Sequence, residues 1–250
     1  MTWVVVPAAG RGLRARLPHG DDSGSSVSDP AAAEPALLPK QYQRLAGKPM
    51  LQWTLERLLA HPAIRGAMVA LAADDRHWPG WHNLQGKPVH TTVGADARAG
   101  SVRAGLAALA TMPDPVGADD RVLVHDAARP CVTSGEIDDL LRLGMADPVG
   151  ALLAVPVTDS LKQADGEGRS QANLPREHVW RALTPQLFRL GPLAAALDQA
   201  RIDGARITDE ASAFERLGRY PRLVAGSARN IKVTVPDDFA LAQWWLARGD

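Results

Sequence analysis

The sequence predicts an α/β fold, a mainly parallel, twisted sheet flanked by helices, and three observations carry that reading. Short β-rich apolar runs alternate along the chain with helix-length periodic segments. At 250 residues and 46% apolar content, the chain can bury a proper core. The apolar run Val122-Leu123-Val124 leads straight into His125-Asp126-Ala127-Ala128-Arg129-Pro130-Cys131. That places polar groups just beyond a strand's C-terminal end, the edge at which open α/β sheets bind ligands. No internal repeat or interdomain linker breaks the pattern, so residues 1–250 read as a single domain.

Strands are predicted at Trp3–Val6, Ala67–Ala72, Val122–His125, Gly150–Val155, Leu223–Ala225 and Ile231–Val233. Helices are predicted at Met50–Ala60, Ser101–Thr111, Ser134–Gly144, Pro192–Ala200, Asp209–Leu217 and Pro236–Ala247. The start Met1–Pro7 lacks the basic region and the length of a targeting peptide and reads as a first buried strand. The last helix opens with Pro236-Asp237-Asp238, proline and acids where a helix start prefers them. Its Trp244 and Trp245 read as packing anchors. Two stretches depart from the alternation. Residues 17–39 are rich in Pro, Gly, Ser, Asp and Ala and read as a long mobile loop, beyond the ~12–15 residues usual for an unstructured connection. A lid and an inert insertion suit this loop equally. Residues Pro156–His178, with the turn Ala164-Asp165-Gly166-Glu167-Gly168 between extended pieces, read as a protruding arm that needs something to lie against.

Twenty-eight basic residues balance 28 acidic ones, so no global field draws nucleic acid or an anionic membrane. Any phosphate-binding charge must therefore be local. No segment approaches the ~18 apolar residues of a bilayer span. The single cysteine, Cys131, excludes an internal disulfide and a multi-cysteine metal site. These features together predict a cytoplasmic protein. An apolar strand before Cys131 and a proline beside it make this thiol packing material rather than a nucleophile.

The chemistry-bearing residues fall at the ends of these elements. Pro7-Ala8-Ala9-Gly10-Arg11-Gly12-Leu13-Arg14 is a small-residue turn whose backbone N–H groups can approach phosphate oxygens, with Arg14 adding charge. No Gly-Lys-Ser/Thr follows, so it is not a Walker A loop. Pro39-Lys40-Gln41-Tyr42 and Gly47-Lys48-Pro49-Met50-Leu51 come next. Lys40 is a candidate for a triphosphate, whereas Lys48 suits a solvated cation at a helix start. Gly94-Ala95-Asp96-Ala97-Arg98-Ala99-Gly100-Ser101 precedes a helix; it suits a base or anion site, and equally a helix cap by Ser101. Asp126 and Arg129 suit a hard cation and a phosphate. They also suit a surface loop in which the two pair with each other or cap the next helix.

In this order the Gly-rich turn, Pro-Lys and Gly-Lys-Pro-Met-Leu resemble the nucleotidyltransferases that join a nucleoside triphosphate to a phosphorylated small molecule. Four further motifs appear in register: Val124–Pro130, Leu183-Thr184-Pro185-Gln186, Ile207-Thr208-Asp209-Glu210-Ala211-Ser212-Ala213 and Asn230-Ile231-Lys232-Val233-Thr234. With them, the chain is similar to the 2-C-methyl-D-erythritol 4-phosphate cytidylyltransferases of the non-mevalonate isoprenoid pathway, from the first strand to the last helix. The resemblance implies a Rossmann-like nucleotide-diphospho-sugar transferase fold and a homodimer with embracing arms. Ala8, Ala9 and Gly10 would follow the nucleotide, with Ala95, Asp96 and Ser101 around ribose and cytosine. Arg14 and Lys40 would hold the triphosphate, Asp126 would bind magnesium, and Lys232 would contact the α-phosphate region. Arg129, Thr184 and Thr208 would shape the acceptor site, and Ser160 and Arg176 on the arm would reach the partner's site. The implied reaction consumes CTP and needs neither nucleic acid nor membrane.

Three departures from the family pattern stand out. The connection over 17–39 is long, Ala95 stands where a glycine is usual, and Ser160 replaces a threonine while keeping its hydroxyl. Sugar-phosphate nucleotidyltransferases commonly carry an acid at the late strand where this chain has Lys232; a lysine cannot ligate magnesium but can meet phosphate charge. The competing expectations are a cytidylyltransferase for another polyol phosphate, such as ribitol 5-phosphate, and a nucleotide-binding regulator without catalysis.

Overall fold

The computed structural model describes residues 1–10 and 38–249. Arg14 and most of the predicted loop over 17–39 lie outside the described residues. The chain opens with β1 (Thr2–Pro7), followed after Lys40–Tyr42, a single 3-10 turn, by the short ribbon β2 (Arg44–Leu45) and β3 (Lys48–Pro49). Next come α1 (Met50–Ala60), β4 (Ile64–Leu71), β5 (Asn83–Leu84), β6 (Lys87–Val93) and α2 (Arg98–Ala110). They lead to β7 (Arg121–Val124), α3 (Ser134–Gly144) and β8 (Gly150–Pro156). The arm is a hairpin of β9 (Leu161–Ala164) and β10 (Ser170–Leu174). The chain closes with β11 (Trp180–Arg189), α4 (Leu190–Ile202), α5 (Glu210–Glu215), β12 (Arg222–Ala225) and α6 (Pro236–Leu246).

Eight strands form one sheet in the order β12-β8-β11-β7-β1-β4-β6-β5. The four strands β7, β1, β4 and β6 are neighbours and run parallel. β11 runs antiparallel between β7 and β8, and β5 is antiparallel at the far edge. The sheet is mainly parallel, as the sequence predicts.

Side chains alternate along each strand, so β1 sends Val4 and Val6 to one face and Trp3 and Val5 to the other. The first face is covered by Leu51, Leu55 and Leu58 of α1 and Ile137 and Leu140 of α3. The second is covered by Val102, Leu106 and Leu109 of α2 and Leu193 and Leu197 of α4, with the Phe188 and Phe214 rings stacked 4.7 Å apart. Each face buries large aliphatic side chains, worth roughly 1.5–3 kcal/mol apiece. A smaller cluster seats Ala242 and Leu246 of α6 against Leu45, Met50, Cys131 and Val233. No described helix is long and apolar enough to cross a membrane.

The structure differs from the sequence expectation in a few places. Ile231–Val233 is not a strand. Its exposed-buried alternation comes from Lys232 facing out and Val233 packing in, and the Val233 amide bonds Ala128 O (2.8 Å) without a ladder. β6 and β11 go unpredicted because Pro88, Pro185 and polar residues interrupt their apolar patterns. α2 starts three residues before the predicted Ser101, and α5 is shorter than predicted, with Asp209 as its cap rather than its first residue.

Gly150 opens β8 with φ +146°, and a Cβ there would lie 2.4 Å from Leu187 O and 2.4 Å from the Phe188 ring. Both backbone conformation and space exclude a side chain. Gly150→Ala is expected to cost at least about 2 kcal/mol, checked by urea unfolding. Burial pushes the Cys131 thiol up to about 11. We expect it to resist an aromatic disulfide reagent at pH 8 until the chain is unfolded.

Candidate active site

The C-terminal ends of the four adjacent parallel strands deliver one continuous cleft of about 940 Å³. Beyond β1 lie Ala8, Ala9 and Gly10; beyond β4, Ala72, Ala73 and Asp74; beyond β6, Gly94, Ala95 and Asp96; beyond β7, Asp126, Ala127 and Ala128. Lys40, Gln41, Arg98, Ser101, Lys232 and Thr234 complete the wall. This is the crevice that open α/β sheets offer where neighbouring connections depart to opposite faces.

Small residues here serve close approach. A Cβ on Gly94 would sit 2.8 Å from Ala9 Cβ and 2.9 Å from Ser101 Oγ, so the loops after β1 and β6 can touch only through a glycine. Ser101 lies inside α2 rather than capping it. Its hydroxyl accepts from the Ala95 amide (3.0 Å) and donates to Ala95 O (2.8 Å), fixing the loop that carries Ala95 and Asp96. The N-terminus of α2 has no side-chain cap. The 3-10 turn is docked by Gln41, buried, which donates to Ala8 O (2.8 Å), and by the Tyr42 hydroxyl, which donates to Asp75 Oδ2 (2.7 Å). Burial and the Asp75 carboxylate both raise the Tyr42 phenol, so it stays a donor. Lys40 Nζ reaches over to donate to Val233 O at 2.7 Å.

Charge is concentrated on Asp126. Its Oδ1 accepts from Arg98 Nε at 2.7 Å, its Oδ2 lies 2.8 Å from Lys232 Nζ, and Arg129 Nε stands 3.8 Å from Oδ2. Burial opposes this charge, but Arg98 and Lys232 outweigh it and hold the carboxyl well below the usual carboxylate range. Arg98 also grips Glu210 with both terminal nitrogens, at 2.6 and 3.0 Å. Burial raises the Glu210 carboxyl and Arg98 opposes that; acceptance by both oxygens is the geometry of an ionised pair.

The four late motifs bond to one another beneath this cluster. The Thr184 hydroxyl accepts from the Asp126 amide (3.0 Å) and pairs with His125 Nδ1 (3.2 Å), while His125 Nε2 meets Arg129 O at 2.9 Å. This assigns His125 as the neutral Nε2–H tautomer, in accord with burial lowering it to about 4. Arg129 Nη1 donates to Asn230 O (2.7 Å), and Asn230 Nδ2 donates to Thr184 O (2.8 Å). Gln186 donates to Asp209 Oδ2 and accepts from the Ala211 amide, both at 2.9 Å, seating the start of α5.

The sequence-predicted residues thus divide. Ala8, Ala9, Gly10, Lys40, Ala95, Asp96, Ser101, Asp126 and Lys232 share the cleft wall. Arg129 and Thr184 are buried behind it as braces, and Thr208 is exposed where α5 begins. Ser160 and Arg176 lie together on the arm, in a separate hollow with Asn173 and Glu177, and Arg176 Nη1 donates to Thr158 O. Lys48 is paired with Glu56 at 2.7 Å rather than merely solvated. Sequence reasoning missed Arg98, Glu210, Gln41 and Asn230. Arg98 left one trace: a cation in a first helical turn without acids, where the helix dipole disfavours it.

Comparison with known proteins gives one consistent result. Residues 33–248 match the family model described as IspD, 2-C-methyl-D-erythritol 4-phosphate cytidylyltransferase. A protein of that name from Stenotrophomonas maltophilia (strain R551-3) is 49% identical over 246 residues, covering 98% of this chain and 97% of the relative. Another from Xanthomonas campestris pv. campestris (strain 8004) is 50% identical, over 99% of this chain and 85% of the relative. The crystal structure of the Francisella tularensis enzyme of the same name aligns with TM-score 0.76 at 32% identity, over 98% of this chain and 99% of that one. The crystal structure of the Thermus thermophilus enzyme aligns with TM-score 0.71 at 30% identity, over 99% of this chain and 98% of that one.

The His125 imidazole titrates near 6.5 when unfolded but near 4 in the native chain. The unfolded chain therefore binds the proton first. Stability is full above about pH 6.5 and falls as pH drops toward 4, by up to about 3 kcal/mol from this group. Urea unfolding at pH 7 and pH 5 checks it: the difference should shrink in His125→Asn, which does not titrate.

Proposed function

The chain belongs to the 2-C-methyl-D-erythritol 4-phosphate cytidylyltransferase family, and on that premise we propose that it transfers CMP from CTP to 2-C-methyl-D-erythritol 4-phosphate, releasing pyrophosphate. The observation that carries the reading is the cleft in which backbone loops after β1 and β6 stand opposite Lys40, Lys232 and Asp126.

The acceptor phosphate monoester is mostly a dianion at neutral pH, its second pKa being near 6. It can attack the α-phosphorus in line without a general base, and pyrophosphate leaves from the opposite side. Catalysis then rests on positioning and on charge placed to meet the transition state. The loops at Ala8–Gly10 and Gly94–Asp96 seat the nucleotide, Ser101 keeping the second loop rigid. Lys40 and Lys232 turn from their resting partners to phosphate oxygens, with Arg14 assigned to the triphosphate from its motif. His125, neutral and doubly bonded within the braces, takes no proton from the substrate.

Magnesium fits Asp126. Each of its oxygens accepts one hydrogen bond and keeps a further lone pair, and the ion commonly takes one or two carboxylates plus phosphates and waters. Among the described residues no group of three or more His, Cys, Asp and Glu offers an all-protein cage. Bound there, magnesium would neutralise triphosphate charge. Arg129, Thr184 and Thr208 are assigned to the acceptor half, the first two through the loops they brace. The exposed arm, with Leu174 beside Leu161 at the open end of its hairpin and Val179 and Trp180 at its base, supports a homodimer in which Ser160 and Arg176 complete the partner's site.

Pyrophosphate release with CTP, magnesium and 2-C-methyl-D-erythritol 4-phosphate tests the reading, with UTP, ATP and ribitol 5-phosphate as controls. Release with another acceptor alone would overturn the acceptor assignment. Lys40→Ala and Lys232→Ala are each expected to lower kcat at least ~100-fold; a near-normal rate in either would remove its assigned role. Sedimentation is expected to show a dimer, and Arg176→Ala to lower turnover while leaving it dimeric.

A further inference from the structure

Glu210 is fully buried and does not itself line the cleft, yet it receives two donors from Arg98, which does. A buried ion pair is often no more stable than apolar residues of the same volume, so stability alone is a weak reason to keep it. Arg98 pays a second penalty as a cation at the positive end of α2. What the pair achieves is directional. With both terminal nitrogens held by Glu210, the remaining Nε points at Asp126 Oδ1, and the other oxygen of Asp126 is left facing Lys232.

We propose that Arg98 and Glu210 form a positioning pair: Glu210 fixes the guanidinium, and Arg98 fixes the Asp126 carboxylate, so that Lys232 is aligned in the cleft. The pair joins three elements, α2, the loop after β7 and the start of α5, through one planar group. Arg98 acts through Asp126 and Lys232 rather than on the substrate. This rests on the function proposed above, in which Lys232 meets phosphate charge.

A lysine in place of Arg98 keeps the charge but cannot hold three directions at once. Glu210→Gln keeps the shape but puts an amide donor against a guanidinium donor. Arg98→Met with Glu210→Leu removes both buried charges together and should fold. The intact chain and these variants are compared for kcat, for the KM of CTP and for melting temperature. A double-mutant cycle joins Arg98→Lys with Lys232→Ala.

Arg98→Lys and Glu210→Gln are expected to lower kcat about 10- to 100-fold with the KM of CTP changed less than ~3-fold. The Met/Leu variant should melt within about 5 °C of the native chain and still be slow. In the Lys232→Ala background the Arg98→Lys loss should shrink to under ~3-fold, because the lysine it aligned is gone. A Met/Leu variant with native kcat, or losses that simply multiply in the cycle, would overturn the pair. If the native chain itself releases no pyrophosphate, the function above falls and the pair is judged by the crystal structure of the Met/Leu variant. Lys232 still seated on Asp126 there overturns it; Lys232 displaced supports it.

Discussion

A single carboxylate, Asp126, holds two cations that come from segments far apart in the sequence, Arg98 at the start of α2 and Lys232 between β12 and α6. Alone, a charge this deeply buried would be pushed to its neutral form; between two cations it stays ionised. Its backbone is pinned as well, because the Asp126 amide donates to the Thr184 hydroxyl. Side chain and main chain are thus fixed by separate segments. The loop after β7 becomes the point at which the nucleotide edge, the strand β11 and the last extended segment are held in register.

The topology explains why four motifs far apart in sequence meet. β11 enters antiparallel between β7 and β8, so its early residues lie beside the C-terminal end of β7 rather than at the opposite rim. Thr184 and Gln186 therefore arrive under Asp126 and at the cap of α5. Asn230 then closes the ring by donating to Thr184 O while its own carbonyl takes Arg129. Each bond is ordinary in strength, about 0.5–1.5 kcal/mol net, and although Arg129 Nε and Asn230 Oδ1 find no hydrogen-bond partner among the described residues, bonds that tie three distant segments together favour one arrangement.

Much of this was legible in the sequence. β1, β4, β7 and β8 announce themselves as short apolar runs, and the loops after three of the four cleft strands were readable as functional. The strands β6 and β11 were not, because their prolines and polar residues mimic loops and only pairing with neighbours makes them strands. Ile231–Val233 failed in the other direction, since alternation over three residues is satisfied by one anchored extended piece. Arg129 and Thr184 were visible as special but not as buried braces, because burial of a polar side chain depends on partners some 50 to 100 residues away. Arg98 and Glu210 stayed hidden for the same reason: an ion pair separated by 112 positions leaves no local pattern.

The resting partners of the two cleft lysines bear on which anions this pocket retains. Lys40 is already bonded to a backbone carbonyl and Lys232 to a carboxylate. An incoming anion must compete with those acceptors as well as with water. Chloride or a lone phosphate meets this competition as a separate small anion, whereas a chain of linked phosphates that engages both ammoniums gains from being one molecule. The resting bonds of the two lysines thereby favour a polyanion over a single small anion, because only a linked chain can replace both bonds in one binding event.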